Sequence, residues 1–275
     1  MPSSNPAFSR FGADANGHQQ PAPWGAPQQQ YGAPGQYGAP TQYDPYAAPS
    51  PYAATTTRYL TMDDVVTKTG ITFLVTVLTA AAMWSLPGTT GWALALPAAL
   101  VGLVLGLVIA FKAIANPAAT LAYAAIEGVF LGAISEAFEQ EWGGIVMQAV
   151  IGTFGVFAGM LVVYKTGAIR VTPKFTRWII GALVGVLVLM FANIIASFIT
   201  PGGLGLRDGG TLAIIFSLVV IGVAAFSLLL DFDMADEAIR RGVAPKFAWY
   251  IAFGLLVTVV WLYLEILRLL SYFRE

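Results

Sequence analysis

Three carboxylates, Glu127, Asp231 and Glu265, stand in or at the end of strongly apolar stretches of this chain. A charge at membrane depth costs several kcal/mol unless it is protonated, paired or facing water, so each is a candidate site. Such groups can offer anionic oxygens to a passing cation, take up and release protons, or hydrogen-bond to a neighbouring helix. Glu127 is the clearest of the three. It lies ten residues or so into its apolar run, about 15 Å deep for a helix, with no Lys or Arg three or four positions away. The structural alternative is a protonated glutamic acid bonded to a neighbouring helix.

Asp231 and Asp233 close the sixth run in Leu229-Leu-Asp-Phe-Asp-Met234, where a charge can equally mark the edge of a span. Glu265 lies deep in the seventh run and is followed at i+3 by Arg268, which offers an intrahelical ion pair as the plain structural explanation. Asn193 in the fifth run and Ser135–Glu136 at the end of the third are secondary polar candidates.

Other chemistries find no residues to carry them. The chain has Cys 0, which removes thiol nucleophiles, disulfides and cysteine metal sites. Its only histidine, His18, is near the N-terminus, so the apolar part has no histidine base or ligand. An intramembrane aspartyl protease needs facing aspartates at depth, one in a Gly-x-Gly-Asp turn. Gly203-Leu-Gly-Leu-Arg-Asp208 has the wrong spacing and falls in a loop. A retinal protein needs a lysine inside the seventh span, and Lys246 only precedes it. An enzyme is not expected, nor a cofactor, a resident metal or a nucleic-acid partner; calcium would enter only as a transported ion.

The elements that must hold these groups are seven apolar runs: 70–87, 91–113, 118–138, 142–164, 178–199, 211–230 and 247–270. Each is roughly 18–24 residues, and at about 1.5 Å per residue a helix of that length crosses a hydrocarbon core of about 30 Å. A helix satisfies its own backbone in lipid, so the expected fold is an all-α polytopic membrane protein. Composition agrees: 57% of residues are hydrophobic and only 11% charged, against about a quarter charged in soluble domains. The mean hydropathy is +0.71.

Residues 1–57 differ in kind. Pro, Gly, Gln, Ala and Tyr dominate, with Tyr31-Gly-Ala-Pro34 echoed in Tyr37-Gly-Ala-Pro40. Such a segment buries too little apolar surface to offset its chain entropy and is expected to be a disordered cytoplasmic tail, leaving 58–275 as the transmembrane domain. No basic stretch precedes an apolar one there, so a signal peptide is not expected.

Orientation follows from basic residues in the short connections. Arg58, Lys68, Lys112, Lys165, Arg170, Lys174, Arg177, Arg240, Arg241 and Lys246 fall on one side if the spans alternate. Glu136, Glu139, Glu141 and one Arg207–Asp208 pair fall on the other, as do Arg268 and Arg274, which dissent from the pattern. The basic side, with the N-terminus, is expected in the cytoplasm and the chain in the cell membrane. Met62–Lys68 is expected as a short amphipathic helix at the inner interface. Glycine pairs four apart at 102/106, 128/132, 155/159 and 181/185 are expected to bring helices close together.

Three motifs then carry a resemblance: Tyr123-Ala-Ala-Ile-Glu-Gly-Val-Phe-Leu-Gly132, the Leu-Leu-Asp231-Phe close of the sixth run, and Leu262-Tyr-Leu-Glu-Ile-Leu-Arg-Leu-Leu270. Together they resemble the Bax inhibitor-1 family, over about Met62 to the C-terminus and without the leader. The resemblance implies six helices around a central seventh. It also implies a calcium leak latched by two acids, one ending span six and one in span seven. Asp231 matches the first. The second falls on Glu265 in one register and on Thr258 in another. Lys112 loosely matches the family's basic partner. On this reading Asp231, Glu127 and Glu265 are inner, middle and outer stages of a cation path that protonation opens or closes. The alternative is a non-conducting regulator that binds other membrane proteins, such as a quality-control protease. The lipid bilayer is the one partner both readings require, and the oligomeric state stays open.

Overall fold

The structure, a computed structural model, describes residues 58–86 and 88–274. The expected disordered tail lies outside the described residues. The described residues form seven long helices: α1 Met62–Trp84, α2 Gly88–Lys112, α3 Pro117–Glu141, α4 Ile145–Thr166, α5 Pro173–Ser197, α6 Thr211–Arg240 and α7 Ala248–Tyr272. All seven are long and apolar enough to cross a membrane. The chain is therefore an all-helical, multi-pass membrane protein.

Helix starts are written in the local sequence. Thr61 and Asp64 form a reciprocal capping box at the start of α1. Asn116 and Thr172 accept backbone N–H bonds ahead of Pro117 and Pro173, which open α3 and α5 with a pre-set φ. Gly167, at φ 68°, ends α4 in the left-handed conformation that glycine adopts without a Cβ penalty.

Caps and charges, more than hydropathy, set the helix ends, and three of them move. Helix α1 begins at Met62 and not Gly70, so Met62–Lys68 is its first two turns, continuous with the span. Helix α5 begins at Pro173. Helix α6 runs on to Arg240, ten residues beyond Leu230. At 30 residues it is about 45 Å long, which exceeds a hydrocarbon core of about 30 Å.

Helix α7 is the centre. In its most apolar stretch 67% of residues are buried, against 11% for α5. It packs on α1, α3, α4 and α6, while α2 is held chiefly through α3 and α5 leans on α6. The ring around α7 is consequently uneven, with a gap between α3 and α5.

Two of the four glycine pairs make close helix contacts. A Cβ on Gly128 would overlap Thr79 Oγ1 and the Thr76 carbonyl, and one on Gly132 would press on the Ala80 carbonyl, so α1 and α3 meet backbone to backbone. On α2, Gly102 and Gly106 lie against Glu127 and the Tyr123 ring. The pairs 155/159 and 181/185 instead meet nothing within 4 Å, and the expectation of close packing there is corrected. Those glycines sit on faces that no neighbouring helix covers.

The basic ends of the helices come together. Lys68 Nζ donates to the Pro245 carbonyl at 2.7 Å, and Leu60 N donates to Val243 O at 2.9 Å, tying the start of α1 to the α6–α7 turn. Asp64 is buried there between Arg58 and Lys68. At the opposite end Arg274 Nη1 donates to the carbonyls of Trp142 and Gly143, and Nη2 to Gln148 Oε1. That clamp on the α3–α4 turn is a local use for one of the two basic residues that dissented from the charge pattern.

Candidate functional site

Asp231 meets Thr258. The Thr258 hydroxyl donates to Asp231 Oδ2 at 2.6 Å, with the Gly254 carbonyl 3.2 Å away as its other acceptor. Gly254 lies against this contact, and a Cβ there would stand 3.8 Å from Asp231 Oδ1, an ordinary packing distance. Of the two registers left open by sequence, Thr258 is the residue opposite Asp231, and Glu265 lies seven positions farther along α7, about 10 Å along the axis.

The same contact corrects the depth of Asp231. It does not end its span: nine more helical residues follow it to Arg240. Thr258 is ten residues past the start of α7, and Glu127 is ten past the start of α3 at the same end of the bundle. Each is about 15 Å from its helix end. Asp231, Thr258 and Glu127 all line one cleft of about 610 Å³, bounded by α2, α3, α6 and α7. The expected inner and middle stages are thus a single layer.

The cleft is built by small residues on one side and polar ones on the other. Gly102 and Gly106 present a flat wall of α2, and the Tyr123 hydroxyl faces the Glu127 carboxylate across one turn of α3. A Cβ at Gly102 would come within 3.3 Å of Glu127 Oε1. Glu127 and Asp231 are both half-buried, and no Lys or Arg lines the cleft. Two carboxylates, a threonine hydroxyl and a tyrosine hydroxyl therefore share a wall with no cation in it. That arrangement favours a positive ion.

Glu265 belongs elsewhere. It is 3% exposed, accepts from the Ser217 hydroxyl at 2.8 Å and pairs with Arg207 Nη2 at 3.4 Å. The expected intrahelical pair with Arg268 does not form. Arg207, from the α5–α6 loop, reaches the carboxylate, while the Arg268 carbonyl accepts from the Ser271 hydroxyl and its guanidinium makes no hydrogen bond among the described residues. Neither Ser217 nor Arg207 was anticipated as a partner. The only sequence signal was the Arg207–Asp208 pair in an otherwise small and apolar connection.

The remaining candidates scatter. Asp233 lines a separate groove near Glu237 and Arg241, facing away from Asp231. Lys112 is exposed at the end of α2 and forms no ion pair among the described residues. Glu136 accepts from Gln140 Nε2 on the surface. Asn193 is buried, and its Oδ1 accepts the Leu204 N–H at 2.9 Å, closing the α5–α6 loop. Ser135 lies 2.7 Å from the Tyr263 hydroxyl.

Compared with known families, the chain matches the one described as Bax inhibitor 1 like, over residues 5–275. It belongs to that family. The match extends through the leader, which the motifs alone had left out. No functionally curated protein matches the chain. The three motifs that carried the resemblance all lie on helices bounding the layer of Glu127, Asp231 and Thr258 or the pair at Glu265. In this Bax inhibitor-like chain a hydroxyl, Thr258, occupies the position facing Asp231.

Proposed function

We propose that this protein is a non-enzymatic calcium leak of the cell membrane, regulated by protonation of the carboxylates at mid-depth. One observation carries the reading. Glu127 and Asp231 line one cleft, level with each other and with Thr258, and no basic side chain lines it. Calcium takes several oxygen ligands, and the cleft offers carboxylate and hydroxyl oxygens together. A conducting site must hold its ion weakly enough to release it, and two carboxylates suit that better than a dense acidic cage would.

Proton binding gives a physical switch. With Asp231 ionised, its Oδ2 accepts the Thr258 hydroxyl and ties α6 to α7. A protonated Asp231 loses the charge that attracts both the hydroxyl and the cation, so the α6–α7 contact and ion occupancy change together. The basic end, with the N-terminus, faces the cytoplasm, supported by the excess of Lys and Arg there.

The test is calcium entry into liposomes containing the purified protein, from mildly acidic to mildly alkaline pH. A flux above that of empty liposomes is expected. If none passes at any pH, the leak reading fails, and that of a non-conducting regulator of other membrane proteins takes its place.

A further inference from the structure

The gap between α3 and α5 has an unusual chemistry at its far end. It opens sideways as a crevice of about 480 Å³, walled by Phe130 of α3, Leu183 and Met190 of α5 and Trp261 of α7. That volume lies in the range of ligand pockets. Arg207 and Arg268 line the same crevice, at the end opposite the basic face. Only one carboxylate there answers two guanidinium groups: Glu265, already engaged by Arg207 and Ser217. The Arg268 guanidinium is half-buried and has no hydrogen-bond acceptor among the described residues.

We propose that this crevice holds one anionic phospholipid, its acyl chain against Phe130, Leu183, Met190 and Trp261 and its phosphate on Arg268 and Arg207. Two features select this occupant. The apolar walls follow α3 from Phe130 to Phe138, about 12 Å, which suits a hydrocarbon chain and would leave a small ion against bare apolar surface. Among the side chains that line the crevice the surplus positive charge sits at one end only, Arg207 and Arg268 against Glu265, while the exposed Asp208 beside Arg207 accepts from Gly210 N and lies outside the lining. Guanidinium binds phosphate through two parallel charge-assisted hydrogen bonds. A net positive cluster prefers a headgroup with net negative charge over a zwitterionic one.

The lipid would also fill the uneven part of the ring, bridging α5 to α3 and α7 where protein contact is missing. This role is independent of ion conduction.

Retention of added phosphatidylglycerol against phosphatidylcholine by the detergent-purified protein, followed by native mass spectrometry, is the test. Lys174→Gln/Arg177→Gln serves as background, because it removes basic-end attraction to anionic headgroups. In that background one phosphatidylglycerol should be held in preference to phosphatidylcholine. Arg268→Gln should weaken it about tenfold, the worth of about 1.4 kcal/mol. Leu183→Trp, which fills the crevice and leaves both arginines in place, should displace it as well, and inorganic phosphate should not compete. Equal retention of the two lipids, or full preference in either variant, would overturn the proposal. Displacement of phosphatidylglycerol by phosphate alone would reduce the site to a free-anion site and overturn it too.

Discussion

Thr258 Oγ1 donates to Asp231 Oδ2 at 2.6 Å, the shortest side-chain link between α6 and α7 among the described residues and the one that sets the level of the candidate site. A carboxylate in an apolar bundle that loses a donor keeps its desolvation cost without compensation. Thr258→Val should therefore destabilise the purified protein by about 1–3 kcal/mol. In the double variant with Asp231→Asn the losses should fall short of their sum, by a coupling of about 0.5–3 kcal/mol. Thermal melting of the four proteins in one detergent checks this, and strict additivity would mean that the two side chains do not interact.

Glu265 is predicted to hold the other end of the bundle by charge. Glu265→Leu leaves Arg207 and Arg268 facing each other in a crevice with no carboxylate. Removing one partner of a buried ion pair costs about 3–5 kcal/mol, and Arg207 is partly exposed, so the lower end applies. Glu265→Gln should cost less, since its amide oxygen can still accept from Ser217. Melting temperatures in that order are expected; a leucine variant as stable as wild type would contradict the ion-pair role.

Much of this was legible in the sequence. Seven apolar runs foretold seven helices because span length is set by the membrane, and Glu127 stood out because no basic residue shares its helix face. The depth of Asp231 was not legible. Hydropathy drops at Asp231, yet the helix continues through Asp233, Asp236 and Glu237, because a backbone in helix does not stop where its side chains become polar. Partner choice was equally hidden: the i+3 spacing pointed Arg268 at Glu265, while Arg207, distant in sequence, makes the contact. Glycine spacing predicted close approach in four spans and was right where a neighbour exists, since the spacing cannot say which face meets protein and which meets lipid.

The glycine pairs give a sharp contrast. Gly128→Ala places a methyl onto Thr79 and the Thr76 carbonyl, and overpacking of that kind costs about 1–3 kcal/mol. Gly155→Ala meets open space and gains helix propensity, so it should be neutral or mildly stabilising. Melting curves of the two variants should move in opposite directions or differ by several degrees. Equal losses would mean that α4 packs on a surface at Gly155 after all.

Orientation can be read by single-cysteine labelling, which the Cys 0 background makes clean. A cysteine at position 140, in the exposed end of α3, should react with an impermeant maleimide on intact cells. One at position 174, at the start of α5, should react only after lysis. The reverse pattern would invert the proposed topology and with it the assignment of the basic end to the cytoplasm.

The central claim is that the Asp231 layer governs a cation leak through its protonation. Asp231→Asn keeps the shape of the side chain and removes its charge, so it tests that claim with least disturbance to packing. Calcium flux should be measured in liposomes with wild-type and Asp231→Asn protein at matched reconstitution, from mildly acidic to mildly alkaline pH. The account predicts a wild-type flux that changes across this range and a variant flux that is nearly flat. A variant whose flux follows pH as the wild type does would contradict it, and would place the proton-sensing group outside the Asp231–Thr258 contact.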